Sequence, residues 1–338
     1  MKKIVWQSKT HLVSDSFRDR HLSASANGGN AYDFYSAMAL RSEFDVQMSE
    51  VSLFQAGEST LSYWRRMRKD APEADAVICE PYPIVFGKRI RGVKYAGMIH
   101  HIDDVLGKST VKHAWYFSRL KRRLQHLDLV VTVSKYWKEY LENLGCGNVK
   151  VIYNSFDPEQ YRISNEQVEA FKKKYSLPDN KPLIYIGNAS RQKGAYEVYD
   201  ALKNANYHLI MSGPQNHAPD LPVQYMKMDH AEYLTLLKAS SVVITFSRMI
   251  EGWNRIAHEA MLCGTPVIGS GVGGMRELLE GGGQQIIPDA SGLPDAVSKA
   301  IISREELAKK GHAFVSNYNM KYFNSSWLNA MNELLNTK

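Results

Sequence analysis

The hydrophobic pattern is clearest between residues 240 and 279, where short apolar runs alternate with amphipathic segments. Val242–Thr245 is apolar and bounded by polar residues, which predicts a strand buried on both faces. After a loop, apolar residues recur at three- and four-residue spacing, which predicts a helix beginning near Asn254. These residues are Ile256, Ala257, Ala260 and Met261. A second buried strand is predicted at Thr265–Ser270, and another helix begins at Met275.

Two successive strand–loop–helix units predict parallel strands, because a short loop and a helix return the chain to the same edge of the sheet. Open sheets of this kind bind ligands beyond the carboxyl ends of their strands. The loop before Met275 contains Gly271, Gly273 and Gly274. Glycine-opened backbone beside a helix N-terminus favours an anion, most often a phosphate.

The same alternation extends along the rest of the chain and predicts an α/β protein. Further strands are predicted at residues 3–6, Ala76–Cys79, Tyr95–His100, Leu127–Ser134, Val149–Tyr153, Leu183–Gly187, His208–Ser212 and Gln224–Met228. Helices are predicted at Ala31–Leu40, Trp115–His126, Lys135–Leu144, Asn165–Tyr175, Ala195–Lys203, Ala231–Ala239, Leu293–Ser303, Glu305–Asn317 and Met320–Leu335. A polar loop is predicted after the first strand. Residues 156–182 contain three prolines and are predicted to form the hinge to a second domain.

Residues 251–278, EGWNRIAHEAMLCGTPVIGSGVGGMREL, resemble the signature of the retaining nucleotide-sugar glycosyltransferases of family 4. The matched features are two glutamates separated by seven residues, an EAM-x-CGTPVI run and a GG-x-x-EL ending. The resemblance implies the GT-B fold, with two Rossmann-like doubly wound parallel-sheet domains facing across a cleft. It also implies an acceptor-side domain at residues 1–157, joined by a C-terminal helix at about 318–338, and a nucleotide-sugar-binding domain at residues 158–317.

The resemblance assigns roles to the two glutamates. Glu251 is expected to bind hydroxyls of the donor sugar and to oppose positive charge at its anomeric carbon, as a catalytic residue. Glu259 is expected to bind the two ribose hydroxyls, for which a carboxylate supplies two acceptors. The alternatives are a helix-capping role for Glu251 and a surface ion pair for Glu259.

The loop after the strand at 183–187 is expected to bind the donor diphosphate. The family has an arginine after the first glycine and a lysine five positions further on. Lys193 matches the lysine, whereas Asn188 stands at the arginine position and Arg191 is a candidate substitute for the missing guanidinium.

A glycine-rich loop and a histidine are the candidate site residues of the N-terminal half. Gly28 and Gly29 precede a predicted helix and, by the resemblance, approach the donor diphosphate and the acceptor; the alternative is a plain turn. His100 follows a predicted strand, where the family places a catalytic histidine beside the transferred sugar. His101 is the alternative for this role.

The remaining donor-binding candidates follow from the same resemblance. Trp253 and Asn254 replace the commoner Phe-Gly, and the helix start continues with Arg255 and Ile256. Met226, with Lys227 beside it, lies where family members hold the nucleobase with backbone groups. Asp103 and Asp104 are interpreted as loop or helix-start carboxylates, because the sequence lacks the rest of a manganese site. Helix N-termini, Gly28 with Gly29, and Lys193 can hold the diphosphate without a metal, so we expect no metal and no cofactor other than the nucleotide diphosphate sugar substrate.

Composition and charge add a hypothesis about partners. The 338 residues are enough for two domains, and the net charge of +7 lies mainly in residues 1–157, which hold 23 Lys and Arg against 17 Asp and Glu. The basic clusters are at residues 65–69, 88–94 and 119–123. They are interpreted either as a surface that contacts anionic lipid or as solvated helix faces. No nucleic-acid-binding module surrounds them.

The sequence predicts a cytoplasmic protein, with peripheral contact at the inner face of the membrane as a further hypothesis. No run of eighteen apolar residues is present, and residues 1–13 lack the apolar region of a signal peptide. Cys79, Cys146 and Cys263 are far apart in sequence, which argues against a disulfide framework or a zinc site.

The predicted function is retaining, metal-independent transfer of a sugar to a hydroxyl of a glycan or lipid-linked acceptor, as in polysaccharide or glycolipid biosynthesis. One alternative is a nucleotide-sugar epimerase or phosphorylase on the same fold. Another is a GT-B binding or scaffold subunit that has lost catalysis, favoured by Asn188 and by Trp253 with Asn254.

Overall fold

Two compact units make up the chain. In the computed structural model, residues 1–23, 28–188, 191–213 and 221–337 are described. One unit comprises Met1–Asn154 with Lys321–Lys338, and the other comprises Ser155–Met320. Each unit contains a six-stranded parallel sheet with helices around it, so the predicted α/β class with two doubly wound parallel sheets is confirmed.

The sheet of the first unit is built from short, strongly apolar strands. They are β1 (Lys3–Gln7), β2 (Asp45–Met48), β3 (Ala76–Cys79), β4 (Lys94–Ile99), β5 (Leu129–Thr132) and β6 (Val149–Val151). Every residue of β3 and β5 is buried, as expected for strands covered on both faces. The order is β2-β1-β3-β4-β5-β6, so the order reverses between β1 and β3.

In the described residues, seven α-helices lie between the strands of the first sheet along the chain. They are α1 (His11–Asp19), α2 (Gly29–Leu40), α3 (Thr60–Lys69), α4 (Pro81–Phe86), α5 (Asp104–Gly107), α6 (Val111–Leu124) and α7 (Lys135–Asn143). Most of them begin at a side-chain cap. In α6, Thr110 Oγ1 accepts a hydrogen bond from the His113 amide at 3.1 Å, which starts the helix four residues before the predicted Trp115.

The predicted polar loop after the first strand is wrong, because α1 lies there. Thr10 caps this helix by accepting a hydrogen bond from the Leu12 amide at 3.1 Å. Val13 and Phe17 are buried one turn apart and fix the helix to the unit. Two buried apolar residues among polar neighbours are too weak a periodic signal to distinguish this helix from a loop.

The second sheet has the order of a dinucleotide-binding domain. Its strands are β7 (Leu183–Asn188), β8 (His208–Ser212), β9 (Gln224–Met226), β10 (Val242–Thr245), β11 (Val267–Gly269) and β12 (Gln285–Ile286). They lie in the order β12-β11-β10-β7-β8-β9, which reverses between β7 and β10. The predicted strand Thr265–Ser270 is shorter in the structure, because the Thr265 amide bonds the Ala260 carbonyl at 2.9 Å and Pro266 has no amide hydrogen.

The remaining helices surround this sheet, and the last one continues into the first unit. They are α8 (Asn165–Lys174), α9 (Ala195–Leu202), α10 (His230–Ala239), α11 (Arg255–Leu262), α12 (Met275–Gly281), α13 (Leu293–Ile302), α14 (Arg304–Val315) and α15 (Met320–Asn336). In the first unit, the ring of Trp327 on α15 lies 5.9 Å from that of Trp6, and Phe323 lies 5.0 Å from Tyr32. Within the described ranges, no helix is both long and apolar enough to cross a membrane.

Candidate functional site

The order reversal of the second sheet brings together two oppositely charged residues. Lys193 lies in the loop after β7, and Glu251 lies in the loop after β10. These strands are neighbours, so their loops meet at the carboxyl edge where open α/β sheets bind ligands. The Nζ atom of Lys193 is 2.6 Å from Oε1 of Glu251, and the Glu251 side chain is 13% exposed.

A glycine-rich loop holds Glu251 in place. The Gly274 amide donates a hydrogen bond to the Glu251 carbonyl at 2.8 Å, and Gly273 and Glu251 form an isolated parallel bridge. Gly273 has φ of +67°, and a Cβ atom there would lie 2.5 Å from the Glu251 carbonyl oxygen. Both features demand glycine, so the GG-x-x-EL part of the motif packs against the glutamate that begins it.

Glu259 is buried and bound by two tyrosines. Its Oε2 accepts a hydrogen bond from the Tyr233 hydroxyl at 2.8 Å, and its Oε1 accepts one from Tyr161 at 3.4 Å. Burial first, and then the charge of Glu259, raises the pKa of both tyrosines well above the usual range, so both remain hydroxyl donors. A carboxylate has about four acceptor positions, so two remain for a ligand.

The structure thus places Glu259 away from the surface, with its carboxylate within ion-pair distance of one cation of its own helix. Its relative exposure is 6%, and the nearest cation of α11, Arg255, is 3.9 Å away. Tyr161 and Tyr233 were missed by the sequence analysis, because they lie 98 and 26 residues from Glu259 and belong to no local motif.

The start of α11 is fixed by side chains of the motif itself. Asn254 is the N-cap and accepts a hydrogen bond from the Ala257 amide at 2.9 Å. Trp253 is buried and donates from Nε1 to Nδ1 of His258 at 3.1 Å. Burial, followed by the positive charge of Arg255, lowers the pKa of His258 to about 3, so this histidine is a neutral acceptor. The Arg255 guanidinium lies over the ring of Phe156 at 4.7 Å.

Four of the predicted donor-binding residues line one small cavity of about 30 Å³. They are Asn188, Lys193, Asn254 and Ile256. Asn188 Oδ1 accepts a hydrogen bond from Ser212 Oγ at 2.9 Å, and Ser212 also bonds the Tyr185 hydroxyl at 2.6 Å. The cavity therefore has a basic residue and a helix N-terminus on its walls, a combination that suits phosphate oxygens.

Other predicted donor residues of the second unit do not line this cavity. The guanidinium of Arg191 stacks over the Tyr196 ring at 4.3 Å. Met226 is buried at the end of β9, and Lys227 beside it is exposed. Ala189 and Ser190 lie outside the described residues.

In the first unit, His100 is held from three sides. It follows β4 directly, and its Nε2 lies 3.0 Å from Oδ1 of Asp33 on α2. The Tyr32 ring contacts the imidazole edge to face at 5.0 Å. Gly29 lies against a third side of the ring, since a Cβ atom there would lie 3.2 Å from His100 Cδ2 and Nε2. His101 is exposed.

Gly28 is the N-cap of α2, with φ of +56°. Asn27, which precedes it in the predicted glycine loop, lies outside the described residues together with residues 24–26. The structure thus brings Gly29 and His100 together within one unit.

A second buried carboxyl group lies near Asp33. Glu80 follows β3, is 9% exposed, and accepts a hydrogen bond from Trp6 Nε1 at 3.4 Å. Burial, and then the negative charge of Asp33, raises the pKa of Glu80 to about 8. Asp33 and Glu80 were both missed by the sequence analysis. The only sequence signal was position: Asp33 lies one turn after Gly29, and Glu80 lies directly after a predicted strand.

Asp103 and Asp104 are helix-start carboxylates, as interpreted from the sequence. Asp103 Oδ1 caps α5 by accepting a hydrogen bond from the Leu106 amide at 2.8 Å. Asp104 pairs with Lys121 Nζ at 2.7 Å and accepts a hydrogen bond from Tyr140 at 2.8 Å. In the part of the chain that the structure describes, no cluster of three or more His, Cys, Asp or Glu side chains is arranged to hold a metal ion.

Two family models match the chain. The model described as "Glycosyl transferases group 1" matches residues 167–319, and the one described as "Glycosyltransferase Family 4" matches residues 44–160. An uncharacterized glycosyltransferase of Methanocaldococcus jannaschii is 26% identical over 224 residues, which cover 62% of this chain and 59% of that protein. The matches with three curated relatives span 44 to 59% of the relatives' own lengths.

Solved structures resemble the chain over almost its full length. Sucrose-phosphate synthase from Thermosynechococcus elongatus aligns with a TM-score of 0.77 and 18% identity, covering 99% of both chains. HepE from Anabaena, in complex with UDP, aligns with a TM-score of 0.71 and 19% identity, covering 98% of this chain and 100% of that one. At these sequence identities the structural similarity is evidence for a shared fold only.

Proposed function

Because this chain belongs to the group 1 glycosyltransferases, we propose that it transfers a sugar from a nucleotide diphosphate sugar to a hydroxyl of a glycan or lipid-linked acceptor. The reaction retains the anomeric configuration and needs no metal ion. The second unit binds the donor, and the first unit binds the acceptor.

The pairing of Lys193 with Glu251 is the observation that carries this proposal. Lys193 supplies a point charge for the diphosphate, and the cavity that it lines also holds Asn254, the cap of α11. Glu251 is the adjacent carboxylate, suited to sugar hydroxyls and to positive charge at the anomeric carbon. The diphosphate and the sugar are covalently adjacent in a nucleotide diphosphate sugar, and the two side chains that would bind them are in contact with each other.

Glu259 is proposed to bind the ribose. Tyr161 and Tyr233 fix its carboxylate before a ligand arrives, so little side-chain entropy is lost on binding. The HepE structures hold UDP, UDP-glucose, or UDP with glucose, which supports a nucleotide-sugar donor here. Gly28, Gly29, Arg191, Met226, Trp253, Arg255 and Ile256 remain proposed donor contacts.

The chemical step is proposed as attack on the face from which the diphosphate departs. The acceptor oxygen bonds the anomeric carbon as the bond to the phosphate oxygen breaks, and the departing phosphate takes the acceptor proton. Lys193 and the amides at the start of α11 stabilise the charge on the departing diphosphate, which is the work that a metal ion would otherwise do. His100 positions a substrate hydroxyl.

An anionic membrane surface is the proposed partner, and α5 and α6 are the proposed contact. Four apolar side chains of this region are exposed, namely Val105, Leu106, Val111 and Trp115. Residues 103–127 contain six Lys and Arg against two Asp, of which Asp104 pairs with Lys121. Exposed apolar groups among cations suit the boundary between lipid headgroups and acyl chains.

The basic clusters identified in the sequence contribute less to such a surface than their charge indicates. Arg66 pairs with Glu58 at 2.6 Å, and Arg89 pairs with Asp128 at 2.6 Å. Arg119 and Arg123 donate hydrogen bonds to backbone carbonyls of the α4 region, at 2.9 Å to Val85 and 2.8 Å to Ile84. These guanidinium groups hold the first unit together.

Sedimentation with vesicles tests the membrane contact. We expect the protein to bind phosphatidylglycerol vesicles and not phosphatidylcholine vesicles, and Val111→Glu to abolish binding. Ile302→Glu is the matched control, since Ile302 is an exposed apolar residue of the second unit at 85% exposure. Equal binding of the two variants would rule out this surface.

Donor binding tests the proposed activity. UDP-, GDP- and ADP-sugars are compared with and without EDTA, using wild type, Glu259→Ala and Lys193→Ala. We expect one nucleotide sugar to bind without metal and both substitutions to weaken it. Absence of binding would favour a scaffold subunit, a need for a divalent ion would exclude the metal-independent reaction, and products without a new glycosidic bond would favour the epimerase or phosphorylase.

A further inference from the structure

The contact between Asp33 and His100 determines which imidazole nitrogen carries the hydrogen, in addition to the position of the ring. Asp33 lies on α2 with its side chain 6% exposed, and its Oδ1 is 3.0 Å from Nε2 of His100. A carboxylate only accepts hydrogen bonds, so Nε2 must carry the hydrogen in this contact. In a neutral imidazole the other nitrogen, Nδ1, is then an acceptor.

The residues around His100 restrict rotation of its imidazole ring. Gly29 leaves room for the ring at one side, since a Cβ atom there would lie 3.2 Å from Nε2, and the Tyr32 ring covers another side edge to face. Tyr32 is itself fixed, because its hydroxyl donates to the Ile152 carbonyl at 2.8 Å. The imidazole is 24% exposed, so part of it remains open to a ligand.

Glu80 does not compete for the role of Asp33. Burial and the negative charge of Asp33 raise the pKa of Glu80 to about 8, so at pH 7 Glu80 is mostly an uncharged acid. Glu80 accepts its hydrogen bond from Trp6 Nε1, whereas Oδ1 of Asp33 lies 3.0 Å from Nε2 of His100.

We propose that Asp33 is a positioning residue that holds His100 in the tautomer protonated on Nε2, so that Nδ1 accepts a hydrogen bond from a substrate hydroxyl. This inference rests on the proposed function, because it assumes that His100 contacts the substrate. It also assigns the atom and the hydrogen-bond direction: a substrate hydroxyl donates to His100, and a substrate carbonyl is not bound there.

The tautomer is tested first, on the unmodified protein. Nitrogen NMR of the histidine rings at pH 8 distinguishes protonated from unprotonated nitrogens, and His100→Gln assigns the signals. We expect His100 to be protonated on Nε2 alone. A ring protonated on Nδ1, or on both nitrogens, overturns the inference.

Turnover is tested with Asp33→Asn, which keeps the shape of the side chain but adds an N–H donor that can bond an unprotonated Nε2. We expect kcat to fall roughly 10- to 100-fold with little change in KM, as for loss of one charged hydrogen bond. In the His100→Ala background the same substitution should change kcat less than about twofold, because its partner is absent. Asp45→Asn, on the exposed start of β2, is the control and should match wild type.

The possible failures are distinct. Wild-type turnover in His100→Ala removes His100 from the proposed function, whatever the tautomer. A strong effect of His100→Ala together with wild-type turnover in Asp33→Asn overturns only the role of Asp33. Equal losses from Asp33→Asn with and without His100 show that Asp33 has a merely structural role, and also overturn the inference.

Discussion

Lys193 and Glu251, 58 residues apart in sequence, form an ion pair at 2.6 Å between two loops. The pair is partly buried, with Glu251 the more enclosed of the two at 13% exposure. Each side chain therefore stands where a group of the substrate would contact the other side chain. A diphosphate near Lys193 and sugar hydroxyls near Glu251 would replace one strong contact by two.

Replacing Lys193 should affect the diphosphate and spare the nucleoside. We expect Lys193→Ala to raise the Kd of the nucleoside diphosphate by roughly 10- to 100-fold, the effect of losing one charge-assisted contact. Binding of the corresponding nucleoside should change less than about twofold, because it has no phosphate. Calorimetric titration with both ligands measures the difference.

Lys203→Ala is the matched control for this substitution. Lys203 also forms an ion pair, with Asp200 at 2.9 Å, but on the exposed surface of the same unit. It should leave both dissociation constants unchanged. An equal loss of nucleoside and nucleoside diphosphate binding in Lys193→Ala would mean that the loop has rearranged and that Lys193 has no specific phosphate contact.

Replacing Glu259 should remove the preference for ribose. The wild type should bind a ribonucleotide more tightly than its 2′-deoxy analogue, because the Glu259 carboxylate accepts a hydrogen bond from the additional hydroxyl. In Glu259→Gln one acceptor oxygen becomes an N–H₂ donor, so the preference should fall towards unity. Competition binding with the two nucleotides gives the ratio directly.

Tyr233→Phe provides the control, since it removes the hydrogen bond at 2.8 Å to Glu259 but keeps the carboxylate. We expect it to lower stability by about 1 to 3 kcal/mol, because a buried carboxylate loses a partner, and to retain the ribose preference. A ribose preference that survives in Glu259→Gln would assign the hydroxyls to another residue.

The sequence was sufficient to predict the central strands of both sheets, because each of them is a short apolar run, but it did not predict the edge strands β2 and β12. The pattern VVIT predicted β10 at Val242–Thr245 with the bounds observed, and AVIC predicted β3 at Ala76–Cys79. It failed at α1, whose buried face consists of few residues. Strand ends shifted where local hydrogen bonds end the ladder, as at Thr265.

The residues that orient the candidate site were beyond sequence reasoning. Glu251, Glu259 and Lys193 stand in recognisable motifs, whereas Asp33 is 67 residues from His100 and Tyr161 is 98 residues from Glu259. Such pairs depend on which helices and loops the sheet order brings together. Local spacing carries no information on that order, and the assignment of catalytic and donor-binding roles stays a prediction.

Gly29→Ala should impair turnover without impairing folding. A Cβ atom at this position would lie 3.2 Å from His100, so the imidazole must shift by a few tenths of an ångström away from α2. We expect kcat to fall roughly 3- to 10-fold, as for a weakened hydrogen bond, with donor Kd unchanged. The melting temperature should not fall, because alanine favours the first turn of α2 by up to about 1 kcal/mol relative to glycine.

Gly147→Ala is the control for this glycine substitution, because a Cβ atom there meets nothing within 4 Å. Its turnover should equal that of wild type. Unchanged turnover in Gly29→Ala would show that the position of His100 is not critical, and a lower melting temperature would indicate general damage to α2.

Glu80→Gln should stabilise the protein increasingly as pH rises. The pKa of Glu80 is raised from about 4.5 to about 8 in the folded protein by burial and by Asp33, against smaller opposing effects of Ser8, Trp6 and Lys9. Between these values the folded state binds the proton that the unfolded chain releases, so wild-type stability falls by up to about 1.4 kcal/mol per pH unit. Glutamine resembles the protonated acid and has no proton to lose.

Melting temperatures measured at pH 5, 7 and 8.5 should therefore diverge, with the variant higher at pH 8.5 and the difference smallest at pH 5. Glu73→Gln, at an exposed position, should track wild type at all three values, and a Glu80→Gln difference that is constant with pH would show that Glu80 is ionised in the folded protein.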